Sequence, residues 1–233
     1  MNKEKITDII NTEYNDSDNV PLITEEEEEI IRGLYDKIKS KELEQEQNFK
    51  EEQETIHYHN DAWVQTYTGK KVYPLNPKSE DIDINDIAHS LSMICRFTGH
   101  VKNFYSVANH SILTSYVCNQ EDRLSALLHD CSEFLLTDLC RPLKQSGGFD
   151  NYLAYEKTLQ SIIYRKFGLK EETPPSVKKA DNVLLATEAR DLMTTLLPGW
   201  NFSEKPLPFK IIPMTQPEAE KLFLERFYEL TDK

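Results

Sequence analysis

The sequence predicts an all-α protein that carries at most one small β-hairpin. Three observations support this prediction: apolar residues recur at helical spacing along most of the chain, capping residues precede several of these segments, and β-type residues flank a turn at one place. The 233 residues are enough for one globular domain with a full core and an additional segment. Because only 39% of them are apolar and 29% are charged, part of the chain is expected to be solvated.

Residues 1–60 are predicted to form an acidic flexible tail followed by a helical arm. The stretch 1–22 is polar and without a clear period, which is typical of a flexible tail. Thr24 and Glu27 then form a capping box at the start of a helix whose narrow apolar stripe fades after Leu43. We expect this helix to be mostly solvated. An oligomerisation arm is the alternative, although no heptad pattern persists long enough to favour it.

Residues 61–233 are predicted to form the globular domain. In the run WVQTYTGKKVYPLNP, β-type residues lie on both sides of Thr68-Gly69, which indicates the hairpin. Ser106 is expected to cap one of the helices that follow. The other helical segments are expected in DIAHSLSMICRF, in RLSALLHDCSEFLL as one continuous helix, and in NYLAYEKTLQSIIYRKF, SVKKADNVLLATEARDLM and TQPEAEKLFLERFYEL.

The charge and cysteine content of the chain narrow its expected location and partners. A net charge of −13 disfavours general binding to nucleic acid or to an anionic membrane. No apolar run approaches membrane-spanning length, and the N-terminus lacks the apolar stretch of a signal peptide. We therefore expect a cytoplasmic protein without nucleic-acid or membrane partners. The cysteines show no CxxC spacing and are interpreted as reduced thiols: Cys95, Cys118, Cys131 and Cys140.

Four scattered side chains of metal-binding type are the strongest functional signal. His110 is followed by the adjacent pair His129-Asp130 and later by Asp181. Two imidazoles and two carboxylates suit one divalent metal ion, and we expect one such ion (Mn, Co, Zn, Fe or Mg). A cation of this kind can generate a nucleophile from water at neutral pH and polarise a phosphoryl oxygen. The leading hypothesis is therefore a metal-dependent phosphohydrolase.

The surroundings of the His-Asp pair strengthen this hypothesis. The pair lies in the apolar run ALLHDCSEFLL, where burial of polar side chains is costly unless they are paired or bind a metal. On a continuous helix His129 and Glu133 would share a face, so Glu133 could hold the attacking water beside the ion. The alternative is that these are ordinary helix residues, since a lone histidine such as His110 is more often structural.

The order H…HD…D resembles the signature of the HD-domain phosphohydrolases. Longer segments extend the resemblance: TYTGKKVYPLNP, DIDINDIAHSLSMICRFTGH, FYSVANHSI, LLHDCSEFLLTDLCRPLK, ADNVLLATEARDLM and KIIPMTQPEAEKLFLERF. These are similar to the phage and prophage branch, related to bacterial 5′-deoxynucleotidases and to phage HD-type dATP triphosphohydrolases. The resemblance runs roughly from Trp63 to Tyr228 and implies an HD-domain helical bundle, with the first 60 residues outside it.

The resemblance also implies roles for the candidate site residues. Glu133 would position or deprotonate the nucleophilic water, a task that requires hydrogen-bond reach to that water. Asp138 would assist in proton handling or contact the sugar. The metal ligands would be His110, His129, Asp130 and Asp181.

Candidate substrate contacts follow from the same resemblance and from charge. Arg96-Phe97 matches a pair that holds sugar and phosphate in the 5′-deoxynucleotidases, and the planar fork of arginine suits phosphate. Lys144 and Lys178 are the other candidate phosphate ligands; for each, a solvated surface charge is the alternative. Three residues of the later helix are interpreted as helix-surface ion pairing: Glu188, Arg190 and Asp191.

The implied substrate is a small-molecule deoxynucleotide, and several interpretations stay open. The first is a dNTP phosphohydrolase favouring dATP, because several cations suit a longer phosphate tail. The second is a 5′-deoxynucleotidase acting on dNMPs. Another HD reaction, on an alarmone or a cyclic dinucleotide, and a non-catalytic nucleotide-binding domain are further alternatives. Related HD enzymes often form dimers or higher oligomers, so a homo-oligomer is considered. A phage-encoded protein would act in the host cytoplasm.

Overall fold

The computed structural model describes residues 62–231, together with four separate helical and exposed residues at positions 33, 37, 39 and 40. Most of the predicted tail and arm, residues 1–60, therefore lies outside the described residues. The internal contacts divide the chain into two units, Met1–Tyr58 and His59–Lys233. All elements described below belong to the second unit.

Helices dominate the described part of the second unit, and one two-stranded hairpin accompanies them. The prediction of an all-α protein with a small hairpin is therefore confirmed. The strands are β1 (Val64–Gln65) and β2 (Lys71–Val72), and the first helices are α1 (Ile84–Met93), α2 (Val107–Val117), α3 (Arg123–Leu127) and α4 (Glu133–Leu136). They are followed by α5 (Arg141–Lys144), α6 (Asp150–Lys166), α7 (Pro175–Leu192) and α8 (Gln216–Thr231). Short 3-10 turns occupy Ser79–Asp81, Arg96–Gly99 and Gln120–Asp122.

The hairpin is fastened to the first helix. Its strands pair antiparallel, with Val64 opposite Val72. Gly69 adopts the left-handed conformation that the turn needs, with φ at +85°. The Thr68 backbone N–H and hydroxyl both donate to the Asp86 carboxylate of α1, at 2.7 and 2.8 Å. Two bonds to one carboxylate explain why so short a hairpin is held in place.

Helix α2 lies at the centre of the domain. It packs against α3, α7 and α8, and α8 also packs against α1. Ser106 caps α2 as predicted, its hydroxyl accepting the Asn109 N–H at 3.1 Å. Residues around the whole circumference of α2 are buried, which is typical of a helix inside a core. Any polar side chain on α2, such as His110, must therefore find its partners within the protein.

One predicted helix is interrupted at the His129-Asp130 pair. The segment RLSALLHDCSEFLL was predicted to be continuous, but α3 ends at Leu127 and α4 begins at Glu133. Tighter turns join them: Cys131 donates to the Leu128 carbonyl at 3.2 Å, and Glu133 to the Asp130 carbonyl at 3.1 Å. In a continuous helix neighbouring side chains diverge by about 100°. The tighter turns let the His-Asp pair face one point, so the continuous-helix prediction is wrong.

Within residues 62–231 and the four separate helical positions, no helix combines the length and the apolar character needed to cross a bilayer.

Candidate metal centre and adjoining cavity

The four predicted metal ligands converge from three parts of the fold. His110 comes from α2, His129 and Asp130 from the turn between α3 and α4, and Asp181 from α7. The His110 Nε2 lies 3.3 Å from the His129 Nε2, 3.7 Å from Asp130 Oδ2 and 3.2 Å from Asp181 Oδ1. The His129 Nε2 lies 3.2 Å from Asp130 Oδ2. We call these four residues the ligand cluster.

The hydrogen bonds of the two histidines define which ring nitrogen faces the cluster. The His129 Nδ1 lies 2.7 Å from the Ala126 carbonyl, which can only accept, so Nδ1 carries the proton. The His110 Nδ1 lies 2.6 Å from the Glu188 carboxylate and donates to it in the same way. In its neutral form each ring therefore presents a bare Nε2 lone pair to the cluster, as a metal-binding histidine does.

The chemistry of the donor set fits one divalent cation. Two Nε2 lone pairs and the Asp130 carboxylate bring three electron-pair donors together at 3.2 to 3.7 Å, and the Asp181 carboxylate lies 3.2 Å from the His110 Nε2. Donors that bind one ion at about 2.0–2.2 Å are separated by about 3–3.5 Å, close to the observed spacing. Without a cation, opposed lone pairs at this distance repel one another unless a proton intervenes. The cluster is therefore arranged for a positive charge at its centre.

The titration behaviour of the cluster is consistent with this arrangement. Burial and the Arg96 charge lower the pKa of His110, but Glu188 and Asp181 outweigh them and raise that pKa to about 9. Burial raises the pKa of Asp130, yet the two histidines and Arg96 hold it well below its ordinary value. A proton on His110 and a metal ion therefore compete for the same central position.

Glu188 was wrongly assigned to the helix surface. Its side chain is 0% exposed, and its Oε1 accepts from the His110 ring and, at 3.0 Å, from the Tyr105 hydroxyl. Its Oε2 lies 3.2 Å from an Arg96 nitrogen. The sequence signal was available, because Glu188 follows Asp181 by seven residues and so lies two turns along the same helix face. Tyr105 was missed as well, without any comparable signal.

The other two residues of that prediction do pair with each other, although the Asp191 side chain is only 6% exposed. The Arg190 guanidinium lies 2.7 Å from the Asp191 carboxylate and is well exposed. It also donates to the backbone carbonyls of Leu207 and Phe209. The pair therefore fastens the loop before α8 and lies apart from the ligand cluster.

Arg96 and Phe97 lie beside the cluster, in the turn that follows α1. The two terminal nitrogens of Arg96 lie 3.5 Å from Asp130 Oδ2 and 3.2 Å from Glu188 Oε2, and its side chain is only 12% exposed. The Phe97 ring is half-buried and meets the edge of Trp200, with ring centres 6.5 Å apart. The guanidinium is thus engaged by protein carboxylates rather than by solvent.

A cavity of about 840 Å³ opens beside the cluster and contains the predicted base, Glu133. This volume is typical of a small-molecule site. The Glu133 side chain is 5% exposed, and its Oε2 has no hydrogen-bond partner among the described residues. Burial, followed by the charges of Asp130 and Asp138, raises the pKa of this carboxyl well above its ordinary value. An unpaired buried carboxyl beside a cavity is suited to accept a proton from a bound water.

Asp138 is positioned by an unusual backbone turn. The preceding residue, Thr137, has φ 60° and ψ 167°, a region that L-residues rarely occupy. Its carbonyl accepts the Tyr152 hydroxyl at 2.7 Å, which holds the turn. Burial, opposed by Arg96 and assisted by Asp130, raises the pKa of Asp138. Asp138 therefore lies within the electric field of the cluster.

The predicted phosphate-binding lysines are in different environments. Lys144 lines the cavity, and its Nζ lies 2.6 Å from the Glu156 carboxylate. Lys178 is exposed on α7 and is not among the residues that line the cavity. Lys157 lines the cavity and was not predicted, because nothing in its sequence context distinguishes it from a surface lysine. The acidic lining residues outnumber these cations: Asp130, Glu133, Glu156, Glu171 and Glu172.

The fold and the cluster together define an all-α protein with a candidate divalent-metal centre beside a cavity of about 840 Å³. No protein-family model matches the chain. It is 38% identical over 177 residues to "Uncharacterized protein YfdR" of Escherichia coli (strain K12), covering 73% of this chain and 97% of that protein. It is 33% identical over 138 residues to "Uncharacterized protein RCAP_rcc00048" of Rhodobacter capsulatus, covering 55% and 70%. The chain belongs to the family of YfdR.

Proposed function

We propose that this protein is a metal-dependent phosphohydrolase of the HD-domain type that acts on deoxynucleotides. The observation that carries the proposal is the convergence of His110, His129 and Asp130, with Asp181 next to His110, beside a cavity that contains Glu133. A purely structural cluster would pair its buried polar atoms, yet Oε2 of Glu133 has no hydrogen-bond partner among the described residues. Reactive groups left unpaired in a cavity are typical of an active site.

The ligand cluster, Glu133 and Asp138 would each have a separate role in the hydrolysis. The ligand cluster would hold one divalent cation, which supplies a polarising charge for a phosphoryl oxygen and for water. Glu133 would take the proton from the attacking water, and a raised pKa makes this carboxyl a better proton acceptor. A divalent charge near Asp130 would lower that pKa again, so the operating value lies between the two limits. Asp138 would assist with the proton of the leaving oxygen.

Two classes of substrate are supported by different observations, and they differ in the number of phosphates. The resemblance favours a dNTP, with dATP as the expected substrate. The cavity favours a second candidate, a 5′-deoxynucleotidase, because its acidic lining would repel a triphosphate and Lys144 is already paired with Glu156. A triphosphate would need its own divalent cation to enter, whereas a single phosphate can be held by the cluster alone.

Product analysis tests the proposal. Metal-loaded protein is incubated with all dNMPs, dNTPs and the matching ribonucleotides, and the released phosphates are identified. Tripolyphosphate or stepwise phosphate from a dNTP indicates a triphosphohydrolase, and orthophosphate from dNMPs alone indicates a 5′-deoxynucleotidase. The Asp130→Ala variant is the inactive control, because it removes a ligand. No turnover with any nucleotide in Mn, Co, Mg or Zn would refute the proposal and favour a different HD substrate or a binding role.

A further inference from the structure

We propose that Arg96 and Glu188 are positioning residues of the metal centre, with Glu188 orienting His110 and Arg96 orienting Asp130. Both roles presuppose the metal site of the proposed function. They replace the predicted role of Arg96 as a phosphate ligand. The side chains concerned are 12% and 0% exposed, so they act from behind the ligands and not from the cavity.

Glu188 fixes the orientation of His110. Its Oε1 lies 2.6 Å from the His110 Nδ1, and the Tyr105 hydroxyl donates to the same oxygen at 3.0 Å. An ionised carboxylate only accepts, so the neutral imidazole must carry its proton on Nδ1 and turn its Nε2 lone pair to the cluster. A carboxylate behind a metal-binding histidine also increases the basicity of the ring. Glu188 therefore sets both the tautomer and the donor strength of His110.

Arg96 connects this carboxylate to a second ligand. One terminal nitrogen lies 3.2 Å from Glu188 Oε2, and the other lies 3.5 Å from Asp130 Oδ2. The rigid plane of the guanidinium fixes the separation of its two contacts. Because His110 and Asp130 are both tied to the same ion pair, a change in either partner is expected to disturb two ligands at once.

The position of Arg96 is unsuited to a phosphate contact. Both of its terminal nitrogens already face protein carboxylates, and it is not among the residues that line the cavity. It is also the cation that compensates the fully buried charge of Glu188, and loss of one partner leaves the other buried without compensation. Releasing Arg96 to a substrate would therefore disrupt the site that the substrate needs.

Metal titration without nucleotide tests these roles. Metal-free protein is titrated with Co²⁺, and binding is followed by the visible absorption of the bound ion. Glu188→Gln and Arg96→Gln should each weaken Co²⁺ binding by roughly 10- to 100-fold, the usual effect of removing an outer partner of a metal ligand. Glu220→Gln is the matched control, since Glu220 contacts the Nδ1 of His89 at 3.0 Å in a separate carboxylate–histidine pair. It should leave Co²⁺ binding unchanged.

A charge-balanced double variant separates positioning from loss of folding. Each single variant removes one charge of the buried Arg96–Glu188 pair, leaves the other less compensated and should lower the melting temperature. The double variant Glu188→Gln/Arg96→Gln removes both charges, so its melting temperature should lie closer to that of the wild type. Its Co²⁺ affinity should stay as weak as that of the single variants. Recovery of both properties together would show that the pair serves stability only, and would overturn the proposal.

The remaining outcomes also decide the question. If the wild type binds Co²⁺, and Arg96→Gln leaves that affinity unchanged but raises the KM for a nucleotide, Arg96 is a substrate ligand and the proposal is wrong. If Glu188→Gln behaves like Glu220→Gln, the positioning role of Glu188 is wrong. If the wild type itself binds no Co²⁺, the metal site of the proposed function is refuted, and the positioning roles with it.

Discussion

Replacing Glu133 with glutamine is expected to remove most turnover while making the metal-free protein more stable. The Glu133 side chain is 5% exposed, and its Oε2 has no hydrogen-bond partner among the described residues. Burial, together with the charges of Asp130 and Asp138, raises the pKa of its carboxyl well above the ordinary value. Glutamine keeps the shape of the side chain and removes its charge. The variant therefore tests separately whether the carboxylate is needed for turnover and whether its burial lowers the stability of the fold.

The expected magnitudes follow from this environment. A positioned general base contributes about 10²- to 10⁴-fold to turnover. That loss corresponds to about 3–5 kcal/mol of the activation barrier. A buried polar group without a partner costs about 1–3 kcal/mol, and the amide that replaces it is still polar, so we expect a gain of about 1 kcal/mol in the free energy of unfolding. For a domain of this size the gain corresponds to about 2–4 °C in Tm.

The stability difference should depend on pH in one direction. The pKa of Glu133 is higher in the folded chain than its ordinary value of 4.5, which applies to the unfolded chain. The wild type therefore keeps its full stability below that value and loses stability as the pH rises through the folded-state pKa. Glutamine does not titrate, so the advantage of the variant should be small near about pH 4 and larger near about pH 8.

Urea unfolding in the presence of a chelator measures the stability, and phosphate release by the metal-loaded protein measures the turnover. Glu156→Gln is the matched control within the same cavity, because its carboxylate is paired with Lys144 at 2.6 Å. That variant should gain no stability as the pH rises. Normal turnover by Glu133→Gln would refute the role as a base. A stability difference that does not change with pH would refute the account of its burial.

Three further predictions test the substrate, the core and the metal. Alanine at Lys144, which lines the cavity, should weaken the use of dNTPs more than that of dNMPs, whereas alanine at the exposed Lys178 should change neither; initial-rate kinetics with both substrates decide this. Phe223→Ala, at a fully buried position, should lower the free energy of unfolding by about 3–5 kcal/mol, as measured by urea titration. Added Co²⁺ should raise Tm with increasing concentration for the wild type and not for Asp130→Ala, as measured by scanning fluorimetry.

The elements of the fold were predictable where their causes are local. The hairpin and the cap at Ser106 depend on residues within a few positions of one another, and both are found where predicted. The break between α3 and α4 was not predictable, because buried apolar residues continue through it at Leu128, Cys131 and Phe134. Within this break the His129 ring donates to the Ala126 carbonyl and faces His110 from a distant helix, and the Gln160 side chain bonds to the backbone of the same turn.

The candidate site was predictable for the residues that lie nearest its centre. Metal-type side chains are rare enough in apolar runs to be recognised one by one, as His129 was. Glu188 was misplaced because charged residues on a helix are usually solvated, and its burial depends on how α7 packs against α2. That packing joins residues more than 70 positions apart, such as His110 and Glu188. No local sequence pattern predicts a contact between residues so far apart in the chain.

Backbone strain is concentrated beside the same site. Among the described residues, the non-glycine residues with positive φ are Phe97, Thr98 and Thr137. Each such conformation costs about 1–3 kcal/mol, and the branched side chain of threonine makes it less favourable still. The strained residues directly follow Arg96 and directly precede Asp138, so they set the direction in which these two side chains leave the backbone. Helix continuity and relaxed backbone are thus both given up beside the ligand cluster, and such local departures from the rules of stable folds are typical of functional sites.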